Sequence, residues 1–511
     1  MVNPLKKHSL RLYKARFIHM SRHRINLFLV FLITLSFYGY FIRTSSDWNI
    51  ASRLGLVKAI VEEKRLLIDS YHEGELYTAD KAFVNGHYYS DKAIGASLLG
   101  ALVYLPIYGV IRQPLPTDLF TMLTTVLAIS IPCALLAPLF YSIALRIVKE
   151  KWIALSVALT ISLATPIFPY AGAFYGHSLA AALAFSIFFL WMEVNQFDSP
   201  VTPVRLILSG FLIGFMVLTE YPTLIIAIIL FGYIMYVIRS KKISWDWKTI
   251  VFFLVGSVIP LMIFIFYNWI CFGSPLAIGY ASENLQEFKA VQGEGLMGIG
   301  WPNPETLIYM TIHPMQGIFI LSPVLALAIG GFIMMLRERK LRAELVVVTS
   351  TILIYFLVIS GYKTWWGGDA FTVRHLIPIF PFFGILMIFL PRKYSPLFIG
   401  LGLVSFSQMM IASSTSYRYF DVFVTTTLRH GLVFSWKTSL LFREMLPKLL
   451  HNRLTFSWGQ YLFGLESWYF NFAIPIIAAI VLLIVFYFVN RKEDTLVQSA
   501  SFQTVKSSKA K

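Results

Sequence analysis

The chain has 511 residues, 57% of them hydrophobic and only 14% charged, with a formal net charge of +17. A soluble globular protein carries roughly a quarter charged residues, so the composition excludes that class and points to an all-α polytopic membrane protein. The positive charge falls mostly in short segments and tails between apolar stretches, where it sets topology beside anionic lipid and calls for no nucleic-acid partner.

Residues 1–24 form a basic N-tail, with seven Lys and Arg before Ile25. No small-residue cleavage site follows the next apolar run, so that run reads as a retained first span. A span needs about twenty apolar residues. Twelve are predicted, near 25–42, 118–145, 152–168, 177–193, 206–219, 222–238, 249–270, 316–336, 343–361, 376–390, 395–412 and 470–489. With the N-tail inside, the cytoplasmic segments hold 26 of the 43 Lys and Arg, while the short outer loops hold only Lys363 and Arg374. This alternation is the positive-inside pattern. It survives only if the apolar stretch 93–111 does not cross; that stretch is expected as a helix along or dipping into the outer leaflet, with Gly95, Gly100 and Pro106 interrupting it. Three large outer segments remain, 43–117, 271–315 and 413–469, and both chain ends lie inside. The transmembrane domain runs from 25 to 490; the tail 491–511, rich in Ser and Lys after Asp494, is expected to be disordered. Cys133 and Cys271 lie in or beside apolar segments and give neither a disulfide framework nor a zinc spacing.

The polar clusters lie almost wholly on the outer side. "SSDWNIASRLGLVKAIVEE" places Asp47 at the lip of the first span, ahead of an amphipathic surface helix with Ile50, Leu54, Val57, Ile60 and Val61 on one face. Asp47 serves there as a helix cap or as a general base. "TADKAFVNGHYYSDKAIGAS" supplies Asp80, Lys81, His87, Tyr88, Tyr89, Asp91 and Lys92. Asp91 and Lys92 form an interfacial ion pair, or else Lys92 meets a lipid phosphate. A short outer loop holds Tyr170, Tyr175 and His177, and "TEYP" puts Glu220 at membrane depth, where a carboxylate usually marks an aqueous cavity. The Gly-rich segment 272–305, with Tyr280, Glu283, Glu287, Lys289 and Glu294, reads as a lid or a plain connector. "YKTWWGGDAFTVRHLIP" holds Trp366, Asp369, Arg374 and His375; Arg374 and Lys92 together would clamp an anionic head group. No P-loop, dinucleotide fingerprint, HExxH or nucleophile elbow is present, which leaves an activated lipid outside the membrane as the natural co-substrate.

These residues resemble the GT-C superfamily of polyprenyl-phosphate-sugar-dependent glycosyltransferases, which includes protein O-mannosyltransferases and the aminoarabinose transferase of lipid A. The match lies in an Asp shortly after span 1 (Asp47, with Arg53 on the following helix) and a Lys opening a juxtamembrane helix (Lys92, followed by Ala93 and Ile94 where related sequences carry prolines). Further along, "TPIFPYAGAFYGHSLAAALAF", "LTEYP", "YNWICFGSPLAIGY", "GIFILSPVLAL" and "WWGGDAFTVRHLIPIFPF" are similar to segments of an uncharacterised bacterial group of GT-C-like proteins. The resemblance implies an inner-membrane transferase that moves a sugar from a polyprenyl-phosphate donor, with inversion, to a glycan, lipid or protein acceptor outside. Asp47 would be the base, with Asp80 and Asp91 as rivals, and Lys92 and Arg374 would hold the donor phosphate. Arg53, Asp80, His87, Tyr89, Asp91, Tyr175, His177, Glu220, Tyr280, Trp366, Asp369 and His375 would line the substrate pocket. Segment 169–176 lacks the acidic residue that many members carry there, and cations alone can accept a leaving phosphate, so no metal or further cofactor is expected. The alternative is a lipid-linked-saccharide transporter, which predicts polar residues and broken helices near the bilayer midplane.

Overall fold

The computed structural model describes residues 22–43, 47–243, 246–292, 298–368, 370–415 and 434–508. Most of the basic N-tail, Glu294 and Asp369 therefore lie outside the described residues. Seven helices among those described are long and apolar enough to cross a membrane, and each of the twelve predicted spans contains a helix.

Helix α1 (22–38) leads into strand β1 (Phe41–Ile42) and then the buried helix α2 (Trp48–Lys58). A hairpin of β2 (Ala82–Val84) and β3 (His87–Tyr89) precedes α3 (Gly95–Ile111). The bundle continues with α4 (Thr117–Val148), α5 (Lys151–Leu163), α6 (His177–Phe197), α7 (Pro203–Thr219), α8 (Leu224–Ser240) and α9 (Trp247–Phe272). After α10 (Pro304–Ile312) come α11 (Leu327–Met335), α12 (Arg342–Ser360), α13 (Phe380–Met387) and α14 (Ser395–Ser414). Strand β4 (Phe456–Ser457) pairs antiparallel with β1 before the last helix, α15 (Trp468–Ser508).

The bundle has two polar ends. At one, Arg146 pairs with Glu193 at 3.0 Å, and the buried Glu344 accepts hydrogen bonds from Tyr233, Asn195 and Gln196. At the other lie Asp47, Lys92, His177, Glu220 and Arg374. Helix α6 alone carries His177 at one end and Glu193 at the other, about 24 Å apart at helical rise. The described basic segments 146–151, 239–243, 337–342 and 391–393, all predicted to be cytoplasmic, lie at the first end, where Lys241 pairs with Asp198, Arg392 with Glu150, and Gln196 donates to the Lys340 carbonyl.

The packing of α3 sets it against α4. Gly100 on α3 faces Thr124 on α4, and Tyr104 faces Phe120, so the two run antiparallel about the turn at 112–116. The polar end of the bundle lies level with Ser130, further along α4, where its hydroxyl donates to the carbonyls of Tyr38 and Ala171. α3 thus lies alongside the part of α4 that projects past that end. At 32 residues α4 is about 48 Å long, more than a hydrocarbon core of roughly 30 Å requires.

Two expectations need correction. The helix after Asp47 is not a surface helix, because residues 49–58 are all buried. Its amphipathic pattern supplies one apolar face, but α3 covers a second one, with Gly100 against Val57 and Ser97 donating to the Arg53 carbonyl. The span predicted at 316–336 is broken into Ile318–Leu321 and a segment beginning at Pro323, whose missing N–H cannot continue the ladder.

Candidate functional site

The site is assembled from six stretches of the sequence: the α1–α2 junction, the loop before α3, the start of α6, the α7–α8 turn, the segment after α9 and the loop before α13. Asp47 caps α2, its Oδ1 accepting from the N–H groups of Asn49 and Ile50 at 3.0 and 3.3 Å. Its other oxygen, Oδ2, takes Arg43 Nη2 at 2.9 Å and the Tyr175 hydroxyl at 2.8 Å. Arg374 Nη1 in turn donates to that hydroxyl at 3.2 Å, and its Nε makes no hydrogen bond. The Tyr175 ring lies between the two guanidiniums, 5.9 Å from Arg43 and 5.1 Å from Arg374. Burial pushes the Asp47 carboxyl up, but Arg43, Arg374, the Tyr175 hydroxyl and the Ile50 N–H together hold it below the usual carboxylate range. Two guanidiniums face one carboxylate here, which leaves an excess of positive charge.

The second cluster has the opposite balance. Lys92 Nζ contacts Asp91 Oδ2, lies 3.0 Å from Asp80 Oδ2 and 5.5 Å from the centre of the Tyr280 ring. Asp91 is 1% exposed and accepts a 3.3 Å hydrogen bond from Ser52. Burial would neutralise Lys92, yet Asp80 and Asp91 hold its pKa well above the ordinary lysine value. Burial raises the Asp80 carboxyl, with Lys92 opposing and Asp91 adding to the shift. Glu283 completes the cluster. Burial and the neighbouring Asp91 carboxylate push its pKa up to about 11, so it is a neutral acid at physiological pH.

A third group forms the wall behind these two. Arg53, 1% exposed, donates to Asn49 Oδ1, the Ala93 carbonyl and Glu220 Oε1, and so fixes the backbone next to Lys92. Glu220 also lies 3.5 Å from His177 Nδ1. It approaches so closely that a Cβ on Gly176 would come within 2.3 Å of its carboxyl oxygen, which explains the glycine there. The His177 ring meets His375 edge-on, and His375 meets Tyr362.

The structure therefore brings together Asp47, Arg53, Asp80, Asp91, Lys92, Tyr175, His177, Glu220, Tyr280, Arg374 and His375. It does not bring His87, which pairs with Asp69 at 2.7 Å on the exposed hairpin, nor Trp366, which stacks edge-on with Trp365. Tyr89 packs against Phe272 rather than facing the charges. Lys81 points the other way from Asp80, its Nζ 2.8 Å from His72 Nδ1 and 4.7 Å from the Tyr88 ring centre. The segment read as a lid is a strap tied down on both sides. Glu283 bridges to Ala82, and residues 298–300 bond to 361–363. Sequence reasoning missed Arg43, Ser52 and Tyr362 as site residues and took Glu283 only as part of the lid. Arg43 did carry a signal, a basic residue four positions ahead of an Asp at the end of the first span.

No protein-family profile and no curated protein matches the chain. Among solved structures, the chain is similar to the apo oligosaccharyltransferase of Archaeoglobus fulgidus, at 12% identity and a TM-score of 0.46, over 81% of this chain and 59% of that one. It is also similar to apo ArnT from Cupriavidus metallidurans, at 14% identity and a TM-score of 0.43, over 88% of this chain and 74% of that one. ArnT from the same organism bound to undecaprenyl phosphate gives 10% identity and a TM-score of 0.41, over 94% and 72%.

Proposed function

We propose that the protein is a GT-C-type glycosyltransferase of the bacterial inner membrane. It would transfer a sugar from a polyprenyl-phosphate donor to an acceptor hydroxyl, with inversion, at the outer face. The observation that carries this reading is the direct linkage of Asp47, Tyr175 and Arg374 at one end of the bundle. It places a carboxylate and a cation side by side where the sequence resemblance expects a base and a phosphate ligand. In this scheme the acceptor oxygen bonds to the anomeric carbon, its proton passes to Asp47, and the bond from that carbon to the phosphate oxygen breaks. Arg374, with its free Nε and with Arg43 behind it, takes the phosphate as its charge grows. A carboxylate held low is a weak base. Donor phosphate engaging Arg374 weakens that cation's pull and raises the basicity of Asp47 when substrate is present. Lys92, expected as the second phosphate cation, is already matched by two carboxylates. Guanidiniums suffice for the leaving charge, so the scheme requires no metal.

The outward orientation is supported by the basic segments, which gather at the opposite end of the bundle. Transport is the less favoured reading, because the buried charges discussed above, Glu193 and Glu344 on one side and Asp47, Arg53, Lys92 and Glu220 on the other, sit at the two ends of the bundle rather than midway. The test supplies labelled undecaprenyl-phosphate sugars to purified protein. Asp47→Asn is expected to slow transfer by roughly 10²–10⁴-fold; undiminished transfer by the variant would remove Asp47 from the role of base.

A further inference from the structure

Glu283 is 3% exposed; neither of its oxygens receives a hydrogen bond from a donor group, and the polar group it meets is the Asp91 carboxyl, with which it shares a proton. A buried carboxyl held against a second carboxyl is costly and needs an explanation. Packing offers none, since an apolar side chain of the same size would fill the place without that cost. The strap is built to hold it there. The Glu283 backbone bridges to Ala82, Asn284 N–H donates to the Lys81 carbonyl at 2.9 Å, and Gly279 lies so near Asp91 that a Cβ would come within 2.6 Å of its Cα. Tyr280, on the same strap and half-buried, turns its ring toward Lys92.

The donors and acceptors of this cluster are mixed. Lys92 and the protonated Glu283 donate, while Asp80 and Asp91 accept. A phosphate only accepts, and here it would meet two carboxylates against one ammonium. Vicinal hydroxyls each donate and accept, and a sugar ring also presents an apolar C–H face that suits an aromatic ring. Asp80, at 14% side-chain exposure, and the half-buried Tyr280 form the accessible side of the cluster, with Asp91 and Glu283 behind them.

We propose that Asp80, Asp91, Lys92, Glu283 and Tyr280 form a carbohydrate subsite that binds hydroxyls of the glycosyl unit, while Arg374 and Arg43 serve its phosphate. The assignment rests on the transferase reading above and divides that site in two by charge. It makes Glu283 a specificity determinant, and a neutral hydrogen-bond donor is what the position requires.

The test uses full-length protein in nanodiscs and compares binding of bare undecaprenyl phosphate with undecaprenyl phosphate carrying glucose, galactose or N-acetylglucosamine, read by native mass spectrometry. Wild-type protein is expected to prefer at least one glycosylated lipid about tenfold, one hydrogen-bonded contact's worth. Glu283→Met and Asp80→Asn should bring that ratio close to one, and Glu283→Gln, which keeps a neutral donor, should preserve it. Arg374→Met should weaken both lipids together. A wild-type protein that binds bare and glycosylated lipid equally overturns the subsite, as does a Glu283→Met variant that keeps the wild-type ratio. Wild-type protein that binds neither lipid overturns the transferase reading and the subsite with it. Each Glu283 variant removes a buried carboxyl held against a second one, so its fold is expected to be at least as stable as wild type; a melting curve on the same sample separates misfolding from lost recognition.

Discussion

Glu344 and Glu283 are both buried carboxyl groups, one at each end of the same bundle, and their surroundings are opposite. Glu344 accepts from the Tyr233 hydroxyl at 2.5 Å, Asn195 at 2.6 Å and Gln196 at 2.9 Å, and so ties α12 to α6 and α8. The outermost helices are clasped in a similar way near that end, Asn26 and Asn490 exchanging amide hydrogen bonds at 3.1 Å. Glu283 has no such partners and lies beside two more carboxyl groups. A saturated buried polar group holds helices together. A carboxyl set among like charges weakens the fold, and the carbohydrate subsite proposed above would account for its retention.

The comparison breaks first at the saturated end. Glu344→Ala orphans the Tyr233 hydroxyl and the Asn195 amide, at about 1–3 kcal/mol for each buried group left unpaired, so a loss of roughly 2–6 kcal/mol is expected. Thermal unfolding in detergent should show a midpoint several degrees lower, with lipid binding at the far end unchanged below the transition. A variant that melts with wild type would show that this network does not hold the helices.

How much of this was legible in the sequence follows the same division. Charge alternation was enough to put Asp47, Lys92 and Arg374 at one end of the bundle. The cap at Asp47 was legible too, because it depends only on the N–H groups two and three residues ahead. Contacts that need chain closure were not. Arg53 and Glu220 are 167 residues apart and meet only once α2 and α7 are packed. Hydropathy could give α2 one apolar face, whereas its second cover comes from α3 through Gly100, a contact with no local signature. Glu283 stood in an unremarkable polar loop, and its burial comes from backbone pairing with Ala82, about 200 residues earlier. His87 and Trp366 illustrate the reverse error, since belonging to a polar cluster in sequence does not aim a side chain at the site.

A smaller effect is expected at the Asp47 cluster, where the carboxylate is saturated as Glu344 is but faces the site. Tyr175→Phe keeps the ring between the two guanidiniums and removes only the hydroxyl. A hydrogen bond to a charged group is worth about 1.5–3 kcal/mol, which corresponds to roughly 1–2 pK units. The hydroxyl stabilises the anion, so removing it raises the Asp47 pKa, and a reaction that needs the carboxylate is lost at higher pH. The acid limb of the transfer rate against pH should move up by about that amount. A limb that stays in place would belong to another group, Asp80 first, whose carboxyl burial raises.

The dependence of stability on pH separates the two carboxyls most sharply. An unfolded glutamate titrates near pH 4.3, roughly, whereas in the folded protein Glu283 is pushed up to about 11. Between those values the native state holds a proton that the unfolded state has released. The unfolded state therefore binds fewer protons, and stability falls as pH rises through the window. Glu283→Gln removes this group's contribution. Its melting midpoint should lie above wild type at pH 7, and the gap should widen from pH 5 to pH 9 as wild type loses stability and the variant does not. Parallel midpoints for the two proteins across that range would mean that Glu283 is ionised in the folded state. It could then no longer act as the neutral donor of the carbohydrate subsite.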